Sequence, residues 1–184
     1  MTLSSANSGY AARAVAVLKN NNWSLATAES LTAGGLAAAI TEVPGSSQIY
    51  RGGIVAYDVE VKEQLLNVPS DLLATAGPVD PDVAAHMARG AKLAVGSDVG
   101  IATTGVAGPD SHGGFPPGRV YIGWTGPEAQ GVVEMNLSGD RAEVRRATVE
   151  ISLQIITHCL HAVHIDLSRI ECEQPITAVR GTAE

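Results

Sequence analysis

"DPDVAAHMARGAKLAVGSDVGIAT", residues Asp80–Thr103, decides the fold. Asp80 is placed to cap a helix, and Pro81 takes the first helical position, where a missing N–H costs nothing. Apolar residues then recur at helical spacing to Val95. Asp98–Thr103 is a short apolar run of the kind that a sheet buries on both faces. A capped helix followed at once by a buried strand is the repeating unit of an α/β domain.

The same alternation extends outward in both directions. Upstream, Ala11–Lys19 reads as a helix closed by three asparagines, and Trp23–Ala28 reads as a strand. Thr32–Thr41 reads as a helix of small residues, Gly52–Tyr57 as a strand and Glu60–Leu66 as a helix. Downstream, Thr104–Gly118 holds five glycines and three prolines and predicts a loop. A loop of that length within a compact domain points to function or disorder. Arg119–Thr125 and Gly131–Leu137 predict an antiparallel pair of strands, and Ser138–Asp140 caps a long helix over Arg141–Ala162. The expected architecture is a three-layer α/β/α domain with a mixed, mostly parallel sheet over residues 1–165. Residues 166–184 read as a polar, loosely attached tail.

Composition narrows the function classes. The 184 residues carry a formal charge of −7, and only 4% are aromatic. That balance argues against nucleic acid as a partner, because phosphate-backbone binding needs clustered Lys and Arg. A small anionic ligand needs only a few local donors. No apolar run reaches the length of a membrane span, and "MTLSSANSGY" is not a signal peptide. Two cysteines, Cys159 and Cys172, make no disulfide framework, so a soluble, cytoplasmic protein is expected. His158, His161 and His164 near the end of the long helix read as helix-terminus residues rather than a metal site. No metal and no cofactor is expected.

Ligands of open α/β sheets bind at the carboxyl ends of parallel strands. Three such ends carry hydroxyls here: Glu29–Ser30, Tyr57–Asp58 and Thr103–Gly105. Ser30, in "ATAESLTAGG", reads either as a helix-start residue or as a nucleophile. Glu29 before it points to the opposite face and reads as structural. Lys62 falls in the first turn of a helix, where the macrodipole disfavours a cation. It reads either as a screened surface lysine or as an amine turned back to the strand end, with its pKa lowered by burial. Ser30, Tyr57 and Lys62 together would supply a nucleophile, a proton relay and a base. Dehydrogenases with Ser, Tyr and Lys place Tyr-x-x-x-Lys on one helix. Here the spacing is one residue longer, and no G-x-G-x-x-G follows the first strand, which argues against a dinucleotide enzyme. Asp110 and His112, in the glycine-rich loop, read either as ligand contacts or as solvated residues.

The stretches "TAESLTAGGLAAAITEVPGSSQIYRGGIVAYDVEVKEQLLNVP", "TTGVAGPD" and "SGDRAEVRR" resemble the CinA C-terminal domain family over residues 8–162. That family includes the nicotinamide-mononucleotide amidases, which convert the ligand's carboxamide to a carboxylate and ammonia. The resemblance implies a stand-alone, metal-free α/β/α amidase domain that self-associates as a homodimer or higher oligomer. It places the catalytic serine, tyrosine and lysine at Ser30, Tyr57 and Lys62. It places substrate binding at Thr32, Ala33, Gly34, Thr104, Gly105, Arg141 and Arg145. By this reading Ser30 attacks the carboxamide, backbone N–H groups of Leu31–Gly34 hold the oxyanion, and Thr104, Gly105 and an arginine meet the phosphate. The family's Glu-Ser-Cys-Thr-Gly-Gly is "ESLTAG" here, so Ala33 puts a Cβ where the backbone would approach the ligand or take positive φ. The Glu-Lys-Pro usual in the loop is replaced by "SHGGFPPGR". The alternative is a catalytically impaired nucleotide-binding or regulatory member of the same family.

Overall fold

The computed structural model describes residues 5–158, 160, 170–172 and 176–182. In chain order the elements are α1 (Ser5–Asn20), β1 (Leu25–Glu29), α2 (Gly35–Thr41), a 3₁₀ turn (Ser46–Gln48), β2 (Tyr50–Val55) and α3 (Val59–Leu66). They continue with α4 (Ser70–Ala76), α5 (Pro81–Val95), β3 (Val99–Gly105), β4 (Arg119–Thr125), β5 (Gln130–Asn136), α6 (Arg141–His158) and β6 (Ile176–Thr182). Asp80 caps α5 as expected: its carboxylate accepts from the N–H groups of Asp82 and Val83, and Pro81 sits in the first turn.

The strands form one sheet in the order β2-β1-β3-β4-β5-β6. Alternate residues of each strand face opposite layers. Leu25, Val99, Ile101, Val120, Ile122, Val133 and Met135 pack with α1, α2 and α6 on one face. Ala26, Ala28 and Ala102 pack with α3, α4 and α5 on the other. The second face is lined with small residues because α5 lies close on it. A Cβ at Gly100 would collide with the Ala88 carbonyl, and one at Gly123 with the Ala84 carbonyl. The result is the expected three-layer α/β/α domain. Among the described residues no helix is long and apolar enough to cross a membrane.

Two expectations need correction. The sheet is mixed, but parallel pairing is confined to β2-β1-β3, while the β3–β4, β4–β5 and β5–β6 pairings are antiparallel. The third of these comes from the segment read as a tail. Residues 176–182 of it form β6, Ile170 is buried in the core, and the Glu171 carboxylate accepts from Tyr10. An edge strand is held by its backbone ladder, so polar composition does not reveal it. Of the three histidines near the end of the long helix, His161 and His164 lie outside the described residues.

Candidate active site

The Glu29–Ser30 junction is held from both sides. The Ser30 N–H donates to the Thr103 carbonyl at 3.0 Å, and the Ala56 N–H donates to the Glu29 carbonyl at 2.9 Å. Strand alternation sends the two side chains to opposite layers. The buried Glu29 carboxylate turns to α2 and accepts from the N–H groups of Leu36 (3.0 Å) and Ala37 (2.8 Å). It thereby caps a helix that its own Gly34 cannot cap. Ser30 turns to the other layer and meets Lys62.

Lys62 is only 1% exposed. Asp58 caps α3 by accepting from the Glu60 N–H, and this fixes the helix so that Lys62, in its first turn, folds back beneath the strand ends. Lys62 Nζ lies 2.7 Å from the Ala56 carbonyl, 3.4 Å from that of Tyr57 and 3.2 Å from Ser30 Oγ. Burial lowers the Lys62 pKa to about 8, against an opposing pull from Asp58. In the neutral amine, the two N–H groups can donate to the two carbonyls, which leaves the lone pair for the Ser30 hydroxyl.

Residues 31–34 form a turn rather than the first turn of α2. Ala33 and Gly34 both take positive φ, 49° and 90°. The expected conformational demand on Ala33 is therefore present, but its side chain is exposed and does not line the cleft, so it does not obstruct a ligand there. The turn is clamped from α6: Arg145 Nε donates to the Leu31 carbonyl (2.9 Å) and Nη2 to the Thr32 carbonyl (2.8 Å). The Thr32 hydroxyl is buried against that of Thr103 at 2.8 Å. Among the described residues, the N–H groups of Leu31 and Thr32 have no hydrogen-bonded acceptor.

A cleft of about 400 Å³ opens above Ser30 and Lys62 at the carboxyl ends of β1, β2 and β3. Of the residues expected to form the site, Ser30, Tyr57, Lys62, Thr104, Gly105 and Arg141 line it, and Thr32, Ala33, Gly34 and Arg145 do not. The first three belong to the turn beside it, and Arg145 clamps that turn from α6. The Thr104 hydroxyl donates to the Pro78 carbonyl at 2.6 Å. Tyr57 occupies a different place from that expected of a relay. Ser30 and Lys62 meet directly, and the Tyr57 phenol, on a side chain 58% exposed, accepts from Arg141 Nη2 at 3.0 Å. Arg141 Nη1 donates to the Gly108 carbonyl at 2.8 Å, so this arginine ties the β2–α3 corner to the β3–β4 loop. The cleft is completed by Asp58, Pro78, Val79, Val106–Gly108, Asp110 and His112. The loop's glycines and prolines signalled its part in the site. Nothing local signals Pro78 and Val79, which tertiary packing brings there. A second cleft of about 400 Å³, beside Arg89, Lys92 and Glu128, lies at the opposite end of the sheet, away from Ser30 and Lys62.

Fold and site together define a three-layer α/β domain in which a buried lysine meets a cleft-lining serine at the ends of the parallel strands. The sequence profile of the CinA C-terminal domain matches residues 7–160, and the chain belongs to that family. It is 42% identical over 144 residues to a CinA-like protein of Frankia casuarinae, covering 78% of this chain and 33% of that protein. It thus spans about a third of the length of the curated relatives it matches. Among solved structures, a CinA superfamily protein of Klebsiella pneumoniae superposes with a TM-score of 0.80 at 29% identity, covering 84% of this chain and 97% of that one. The competence/damage inducible protein CihA of Agrobacterium tumefaciens superposes with a TM-score of 0.79 at 31% identity, covering 85% and 96%.

Proposed function

We propose that this protein is an amidohydrolase that converts nicotinamide mononucleotide and water to nicotinate mononucleotide and ammonia. The observation that carries this reading is the 3.2 Å approach of a buried lysine amine to the hydroxyl of Ser30. The family, which includes nicotinamide-mononucleotide amidases, supplies the substrate class. The cleft volume lies in the range of small-molecule sites.

With its pKa at about 8, Lys62 is neutral in about a tenth of molecules at neutral pH. The neutral amine takes the Ser30 proton as Oγ bonds to the carboxamide carbon, and the carbonyl π pair moves onto oxygen. The oxyanion accepts from the free N–H group of Leu31, which lines the cleft, a donor of this kind being worth roughly 3 kcal/mol of barrier. Lys62 returns the proton to the departing nitrogen, the C–N bond breaks and ammonia leaves. Water, deprotonated by the same amine, then attacks the acyl-serine ester; the carboxylate departs and Ser30 regains its proton. Arg141 meets the ligand's phosphate, with Thr104 and Gly105 forming the adjacent wall.

Ser30→Ala abolishes ammonia release from nicotinamide mononucleotide while leaving the circular dichroism spectrum and melting temperature unchanged. Full turnover in that variant overturns the reading. Absence of release from the wild-type protein, with thermal stabilisation by the nucleotide, would instead identify a silent binder.

A further inference from the structure

The loop between β3 and β4 is built, not slack. Its base is closed by the Val106 N–H on the Arg119 carbonyl and the Gly118 N–H on the Val106 carbonyl, both at 2.8 Å. Its tip is a two-residue hairpin: His112 and Phe115 exchange both backbone hydrogen bonds, at 3.1 and 3.0 Å. The two central residues, Gly113 and Gly114, have φ of 56° and 81°. Two successive left-handed residues are what such a tight turn demands, and glycine supplies them without strain. A Cβ at either position would meet nothing, so the requirement is conformational rather than steric.

Phe115 anchors this tip. Its ring packs on the cluster of Val79, Ala84, Val106, Tyr121 and Val132, with the Arg119 guanidinium 5.5 Å from its centroid. Arg119 is itself fixed by Glu134 (2.6 Å), Asn136 (2.8 Å) and the Tyr121 hydroxyl (3.2 Å). The consequence falls on the residue paired with Phe115. His112 lines the cleft, and among the described residues its imidazole has no hydrogen-bond partner. Arg141 lines it too, and no carboxylate pairs with its guanidinium among the described residues.

We infer that His112 is a ligand-contacting residue, presented to the cleft by the Phe115-anchored hairpin, which donates with Arg141 to the anionic group of a zwitterionic nucleotide. The charge pattern selects that ligand class. Asp58 and Asp110 line the same cleft as Lys62 and Arg141, so a purely anionic ligand meets two carboxylates. A ligand with a fixed positive ring and a separate phosphate satisfies both signs. The inference rests on the pyridine-nucleotide reading above and adds a specificity-determining contact to it.

The test measures dissociation constants by calorimetry in a Ser30→Ala background, with nicotinamide mononucleotide and with its phosphate-free riboside. Adding His112→Ala weakens mononucleotide binding about tenfold and changes riboside binding by less than about twofold. Adding Phe115→Ala instead produces the same selective loss, because the hairpin then no longer holds His112 in place. Equal losses for both ligands, or none for either, overturn the assignment. If the selective loss appears but the wild-type protein releases no ammonia, the amidase reading fails and the contact stands. If ammonia is released and the selectivity is unchanged, the contact alone fails. Binding of neither ligand overturns both.

Discussion

Lys62 Nζ touches Ser30 Oγ at 3.2 Å across a separation of 32 residues, with no other side chain between them. If the amine is the base, only its neutral form is competent, and its pKa of about 8 sets the acid limb of the rate profile. The logarithm of kcat/KM for ammonia release therefore climbs with unit slope up to about pH 8 and then levels. Asp58 raises the Lys62 pKa, so Asp58→Asn, which retains a capping oxygen, moves this limb to lower pH. A profile flat from pH 6 to 9 removes Lys62 from the base role.

Stability should carry the same signature with a sign that can be worked out. Unfolded, Lys62 titrates at 10.5; folded, it titrates at about 8. Between those values the unfolded chain binds more protons, so this residue's contribution to stability improves as pH rises through the window. Tyr50 and Tyr121, whose pKa values burial raises, act oppositely at the alkaline end. The difference between the wild-type protein and Lys62→Met isolates the lysine. Urea titrations at several pH values should show the wild type gaining on Lys62→Met from about pH 8 to 10.5, while ammonia release by the variant falls by about 10²–10⁴.

Arg141 and Arg145 share a helix and one turn of spacing but have different roles. Arg145 holds the carbonyls of Leu31 and Thr32, which in the proposed mechanism makes it a positioning residue for the Leu31 oxyanion donor. A lysine cannot reproduce that two-nitrogen fork. Arg145→Lys lowers kcat about tenfold or more with KM little changed, whereas Arg141→Lys chiefly raises KM. Steady-state kinetics on the pair separates them; matching effects would contradict this division.

Ala33 stands at φ 49° with its side chain in solvent. A left-handed non-glycine residue carries about 1–2 kcal/mol of strain that glycine relieves, and glycine's larger unfolded-state entropy cancels part of that gain. Ala33→Gly raises stability by about 0.5–1 kcal/mol, read as a higher urea midpoint at constant m, with ammonia release unchanged. A drop in stability would show that the turn relaxes in solution.

The alternation of elements was legible because its signals are local. The Asp80–Pro81 cap fixes the start of α5, and β-branched and aromatic residues mark β4 over Arg119–Thr125. Three things were not. The short α4 lies behind Pro69 with a weak apolar pattern, β6 depends on a ladder with β5, and α2 starts later than its run of small residues suggests because Ala33 and Gly34 leave helical space. At the site, period-two alternation anticipated that Glu29 and Ser30 diverge, and the cation-unfavourable placement of Lys62 hinted at its burial. The direction of the Tyr57 phenol and the inward clamp of Arg145 depend on partners 84 and 114 residues away, and no local pattern encodes them.

One strand end performs two tasks: the carboxylate of its last residue neutralises the positive end of α2, and the residue that follows presents a hydroxyl to the amine on the far side of the sheet. Anyone grafting this hydroxyl–amine chemistry onto another scaffold would have to transplant both layers at once. Ser30 and Lys62 carried over without Glu29 would rest on a helix end that has lost its counter-charge.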